Sequence, residues 1–298
     1  MSTPFAGRLA LIAPASAVAD EVFDATLAQL EVQGIDYHLG RHTRARHRYL
    51  AGTPAQRLED LHEAFSLPNI DAVWCLRGGY GCAQLLPGID WSLLQNASPR
   101  PLIGYSDLSL LLDAFGRHGL PAIHGPVTTA LGLQALSAPT GQRERLASMR
   151  SLWDVLQDRG QPLPVRHISG PEAPVEGPLV GGNLTALASG CGTVAGMQLP
   201  DNAILILEDV GEPYYRLERS FWQLFESFGE QRPAAVCLGS FTDCPRRGVL
   251  HSIEEIIGEY LAPFGIPLYG ELPSGHGDTN FAWPYGRLAR LERNTLAW

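Results

Sequence analysis

Lysine is absent from this 298-residue sequence: all 22 positive side chains are arginines, set against 31 Asp and Glu, for a net charge of −9. A chain so acidic lacks the basic face that phosphate binding requires, which argues against nucleic acid as a partner. The one basic run, Arg41 to Tyr49 (RHTRARHRY), reads as a solvated loop. Metal signatures are missing as well: there is no HExxH and no zinc-type pairing of cysteines, so neither metal nor organic cofactor is expected. The cysteines, Cys75, Cys82, Cys191, Cys237 and Cys244, are odd in number and scattered, which reads as reduced core thiols in a cytoplasmic setting. No apolar run approaches the roughly 20 residues of a membrane span, so a soluble protein is expected. The opening RLALIAPASAVAD imitates a secretory leader, but its positive region holds only Arg8 and Pro14 interrupts the apolar stretch. It reads instead as a first buried strand ending at a turn.

What is present is an alternation of strand and helix. LALIAP precedes a helical stretch from Asp20 to Gln33, with Val22, Phe23, Leu27 and Leu30 on one face. IDYHLG is a second strand, and TPAQRLEDLHEAF opens with a capping box, Thr53 with Gln56. IDAVWCLRGG is a strand breaking into glycines. PLIGYS is another, running into the helix DLSLLLDAFGRHG, whose Leu108, Leu111, Leu112 and Phe115 share a face; LPAIHGPV follows. Strands separated by helices imply an α/β fold with a mostly parallel sheet covered on both faces. From about Leu131 to Ala173 the rhythm breaks into an arginine-rich and then a Pro- and Gly-rich segment. The expected division is a first domain over 1–140, a linker over 141–173 and a second, smaller α/β domain over 174–298. That second unit carries the strand AILILED, a helix from Tyr215 to Phe228, the strand AAVCLGSF, a helix with Ile253, Ile256, Ile257 and Tyr260, and a final stretch of loop and short strand.

Ser106 of GYSD stands where an apolar strand stops and an amphipathic helix starts. Serine there is a common helix cap. On a sharp strand-to-helix turn it is also an exposed nucleophile with a backbone N–H behind it for an oxyanion. The second glycine of G-x-S-x-G is missing, so both readings stand on local sequence. A serine nucleophile needs a base and a carboxylate to orient it. Of the nine histidines, His276 in SGHGDTN sits between two glycines in a polar loop, and His124, near the same sheet edge as Ser106, competes with it. Glu208 ends the apolar strand AILILED and so leaves the sheet for a cleft; Asp209 points the other way by strand alternation, and Glu212 is a fallback. A salt bridge to an arginine is the structural alternative for Glu208. Gly78 and Gly79 of LRGGYG end a strand on the same side of the sheet, and their N–H groups join that of Asp107 as candidate oxyanion donors. Arg77 is a candidate for a carboxylate ligand or for pairing with an acid.

Taken together, RGGYG, GYSD, GGNL, LED and GHG resemble, in order and across roughly Leu9 to Arg287, the LD-carboxypeptidases of serine peptidase family S66. The resemblance implies Ser106 as nucleophile, Glu208 as triad acid and His276 as base, with the backbone of Gly79 and Asp107 as oxyanion hole. It implies an N-terminal domain like the class I glutamine amidotransferases, flavodoxin-like in its sheet, and a partly barrel-shaped C-terminal domain. It also implies a cytoplasmic homodimer that acts on a small muropeptide, releasing terminal D-alanine from the murein tetrapeptide during recycling. In EDVGEPYYRLER, Tyr215 and Arg216 are further candidates for lining the cleft. Ser106 is thus expected both to start a helix and to attack. Two rivals remain. A second branch of the family hydrolyses acyl-sulfamoyl adenylates, for which Trp74 or Trp283 is available to stack on adenine. An amidotransferase-like enzyme would instead use Cys75 or Cys82.

Overall fold

The strand segments of the first 124 residues become five parallel strands: β1 (Arg8–Ile12), β2 (Asp36–Leu39), β3 (Ala72–Cys75), β4 (Leu102–Gly104) and β5 (Ala122–His124). Their spatial order is β2-β1-β3-β4-β5, with all neighbours parallel. This is the flavodoxin-like doubly wound order, in which ligands gather beyond the strands' C-terminal ends, at the switch point between β1 and β3. The computed structural model describes residues 5–136 and 142–298.

The second sheet has eight strands in the order β6 (Leu163–Pro164), β14 (Thr295–Ala297), β13 (Leu288–Glu292), β8 (Val175–Asn183), β9 (Ile204–Val210), β10 (Ala235–Thr242), β11 (Leu268–Gly270) and β7 (Arg166–Ser169). β8 to β11 are parallel, the remaining pairs antiparallel. Its two edge strands, β6 and β7, are separated in the chain by Val165 alone, so the sheet curls until its edges nearly meet. A sheet that closes this way has almost no free edge. The barrel-like form follows from that connection. β12 (Trp283–Tyr285) leaves this unit and pairs antiparallel with β5, finishing the edge of the first sheet.

Nine helices occupy the described residues: α1 (Asp20–Val32), α2 (Pro54–Ser66), α3 (Trp91–Asn96), α4 (Ser109–Arg117), α5 (Thr129–Leu136), α6 (Gln142–Leu156), α7 (Leu184–Gly190), α8 (Tyr214–Ser227) and α9 (Ile253–Leu261). The Thr53–Gln56 capping box forms at the start of α2. Among the described residues no helix is long and apolar enough to cross a membrane.

Two departures from the sequence reading matter for the site. α4 has no solvent face over its first two turns: every residue from Ser109 to Phe115 is buried, because the helix lies between the first sheet and β8 with α7 of the second. The stretch 141–173 carries α6, β6 and β7 where a linker was expected; the boundary at 140/141 lies outside the described residues. In α6, Met149, Leu152, Trp153 and Leu156 recur at helical spacing, and Trp153 packs on Phe5 (5.9 Å) and Trp74 (5.3 Å). Leu152 is fully buried, which contributes roughly 1.5–3 kcal/mol. The helix therefore belongs to the core under the first sheet.

Candidate active site

β4 ends at Gly104, and a single tight turn from Ser106 to Leu108 delivers the chain into α4. Ser106 has φ +68°, the left-handed region, which costs a non-glycine residue roughly 1–2 kcal/mol. That backbone is incompatible with the extended conformation of a helix cap, and no side-chain cap bond forms at the turn or at the start of α4. The capping half of the expectation for Ser106 is therefore corrected. The half-buried side chain is held out at an elbow instead. The glycine loop after β3 abuts it: a methyl group added to Gly78 would lie 2.8 Å from Ser106 Cβ and 3.1 Å from its Oγ, closer than packed carbons come.

The elbow and the loop are tied by buried polar groups that local sequence does not reveal. Asp107 is buried and accepts the N–H of Cys82 at 2.8 Å. Burial raises its pKa, opposed by that hydrogen bond and by the charge of Arg57. Arg57, on α2, is only 1 % exposed, and its Nη1 donates to the carbonyls of Pro14 (2.7 Å) and Gly81 (2.9 Å). Arg57 and Asp107 thus fix the loops after β1 and β3 against the turn that holds Ser106.

Glu208 lies near the end of β9, in register with Asn183 of β8. Its side chain is 1 % exposed, and Oε2 accepts both the main-chain N–H (3.0 Å) and the ring Nδ1–H (2.7 Å) of His276. With Nδ1 protonated by that bond, Nε2 is left as the accepting nitrogen. Oε1 accepts from Asn183 Nδ2 at 3.2 Å. Asp209 takes Thr185 N–H and Oγ1–H at the start of α7, at 2.8 and 2.7 Å. The loop bearing His276 passes over Glu208 because Gly275 has no side chain: at φ +111°, a Cβ there would lie 2.6 Å from both Cβ and Oε2 of Glu208. Burial works against the charged form of His276, but the hydrogen bond and charge of Glu208, with Asp209, outweigh it and raise the pKa above the ordinary histidine value.

Ser106 and His276 line one cavity of about 540 Å³, together with Arg77, Gly78, Gly79 and Tyr105. It lies beyond the strand ends beside β1 and β3, where the fold predicts a ligand site. Tyr105 packs on the His276 ring at 4.7 Å, and burial followed by the charge of Glu208 pushes its phenol up to about 12. His124, the competing base, is fully buried, lies 4.7 Å from Trp283 in a stacked pair, and lines neither this cavity nor the one beside it. Burial first, with the His276 charge, lowers its pKa to about 4 against the pull of Glu208. Glu212 pairs with Arg216 at 3.3 Å rather than with a histidine, and Tyr215 and Arg216 lie on the exposed face of α8. Cys75 and Cys82 are fully buried and burial raises both thiols, so neither is a thiolate nucleophile.

Residues 9–125 match the family model described as the LD-carboxypeptidase N-terminal domain, and residues 176–291 match the LD-carboxypeptidase C-terminal domain. A Pseudomonas aeruginosa protein named murein tetrapeptide carboxypeptidase is 65% identical over 99% of this chain and 96% of its own. Among solved structures, the muramoyltetrapeptide carboxypeptidase from Oxalobacter formigenes superposes with a TM-score of 0.80 at 26% identity, covering 97% of both chains. The microcin C7 self immunity protein MccF shares the fold, with a TM-score of 0.84 at 20% identity over 100% of this chain and 96% of its own. The chain belongs to the LD-carboxypeptidase family, peptidase family S66.

Proposed function

We propose that this protein is a serine carboxypeptidase that cleaves the L,D-peptide bond releasing terminal D-alanine from the murein tetrapeptide. The observation that carries the reading is the 2.7 Å Glu208–His276 hydrogen bond, with His276 lining the same cavity as Ser106. In this reading His276 Nε2 takes the Ser106 proton as Oγ attacks the peptide carbonyl, and Glu208 holds the ring and stabilises the imidazolium. The main-chain N–H groups of Gly79 and Asp107 receive the oxyanion. His276 then protonates the departing D-alanine amine, and a water activated by the same ring releases the acyl group. The raised pKa of His276 suits a base that must also act as acid.

The acyl-sulfamoyl adenylate reading loses the feature that recommended it. Trp74 and Trp283 are both fully buried, Trp74 edge-on to Trp153 and Trp283 stacked with His124 and Tyr285, so neither presents a face to a nucleobase. Incubation with an L,D-linked tetrapeptide and, separately, with an acyl-sulfamoyl adenylate tests the choice. D-alanine released from the first, with the second left intact, is the expected result; the reverse pattern overturns the reading.

A further inference from the structure

A second cavity, of about 220 Å³, meets the first at His276. His276, Tyr105, Ala130 and Leu133 line both, whereas Ser106, Gly78 and Gly79 line only the larger. Resting on the reading above, this division assigns the two halves of a substrate. The same Nε2 takes its proton from the nucleophile and returns it to the leaving amine, so the acyl carbon sits at Ser106 and the leaving residue against His276. The cavity that holds Ser106 and the glycines therefore takes the acyl portion, and the one beyond His276 takes the leaving residue. Its volume is below that of ordinary ligand pockets, roughly 300–1,000 Å³, and suits one small residue. A carboxypeptidase must also recognise the free α-carboxylate of that residue.

We propose that the cavity beyond His276 is the leaving-residue pocket and that the guanidinium of Arg145 receives the substrate's terminal carboxylate there. Arg145 is half-buried on α6 and lines this cavity. The wall it belongs to is held rigidly against the base. Ser148 Oγ, one turn along, accepts the N–H of Asn280, and Ser151 Oγ accepts that of Ala282, both at 2.9 Å. Asn280 Oδ1 in turn accepts the N–H of Gly275, next to His276, at 2.9 Å. A shift of α6 is thereby a shift of the loop that carries the base. The other charged group at this cavity is Asp278, exposed at its rim, where solvent and salt screen its charge. A planar guanidinium is suited to paired hydrogen bonds with a carboxylate. Arg77, the other arginine near the base, lines only the cavity assigned to the acyl portion.

The test compares two peptides that differ only at the terminus, one ending in D-alanine and the other in D-alaninamide, with release followed by mass spectrometry. The wild type is expected to favour the acid about 100-fold in kcat/KM. In Arg145→Gln that preference falls to within about threefold, mostly through KM for the acid. Arg145→Lys keeps part of it, which separates lost charge from lost packing. If Arg145→Gln retains the wild-type preference, or Arg77→Gln removes it instead, the pocket assignment is overturned while the carboxypeptidase reading stands. If the wild type releases the terminal residue from neither peptide, that reading fails and the assignment falls with it.

Discussion

Glu208 Oε2 accepts two hydrogen bonds from one residue, the main-chain N–H and the ring Nδ1–H of His276, at 3.0 and 2.7 Å. The acid thus sets the position of the histidine backbone and the tautomer of its ring together. Here β9 and the loop after β11 meet through one carboxylate oxygen.

The pH dependence follows from that contact. Glu208 raises the His276 pKa above the usual 6.5 or so, and only the neutral ring acts as base. The rising limb of kcat/KM against pH is expected to have its midpoint above 6.5. Because the folded-state pKa is raised, protonation of His276 also stabilises the fold below about pH 6.5, and this contribution is lost as pH rises through the folded value. Glu208→Gln removes the charge and leaves the burial, so the midpoint moves down while kcat falls about 1,000-fold. A midpoint that stays put in the variant contradicts the coupling.

Backbone strain at Ser106 predicts an opposition of stability and activity. At φ +68° an alanine keeps the strain and a glycine relieves it, so Ser106→Gly is expected to be about 1 kcal/mol more stable than Ser106→Ala. Both are inactive. Urea unfolding midpoints check the difference, and equal midpoints would mean that the elbow is relaxed.

Gly78 tests the contact from the other side. Its Cα faces Ser106 with no room for a methyl group. Gly78→Ala should lower kcat at least 100-fold and stability by about 1–3 kcal/mol, since overpacking forces the loop or the elbow aside. Near-wild-type turnover would place the loop further from the serine than described.

The thiols give a negative control with content. Cys82 lies directly after the glycine loop, yet it is fully buried and its thiol is raised by burial and by Asp107. Cys82→Ala is expected to keep activity within about threefold. Inactivation by that change alone, with the fold intact by circular dichroism, would restore a cysteine-dependent mechanism.

Sequence reasoning reached the strands easily because β1, β3, β4 and β9 are short apolar runs ended by turns or polar residues. It also reached the flavodoxin-like order, through family resemblance. Three things escaped it. α6 is helical by the spacing of Leu152 and Trp153, but the Pro- and Gly-rich stretch after it drew the whole segment into a linker. β12 pairs with β5, 159 positions away by the Trp283–His124 pairing, and nothing local signals a strand crossing between sheets. The braces Arg57 and Asn183 carry no signal of their own in the sequence, and only tertiary packing buries them. Local context marked His276 and Glu208 as candidates, one between glycines and the other ending an apolar strand, but they lie 68 positions apart, and the resemblance gave them their roles before the fold joined them.

The most direct measurement is the initial rate of D-alanine release from an L,D-linked murein tetrapeptide by the wild type and by Ser106→Ala. The account predicts steady release by the wild type and a loss of at least about 1,000-fold in the variant, with its fold unchanged. Equal release by both proteins would contradict it, because Ser106, which lines the same cavity as His276, would then play no part in the chemistry.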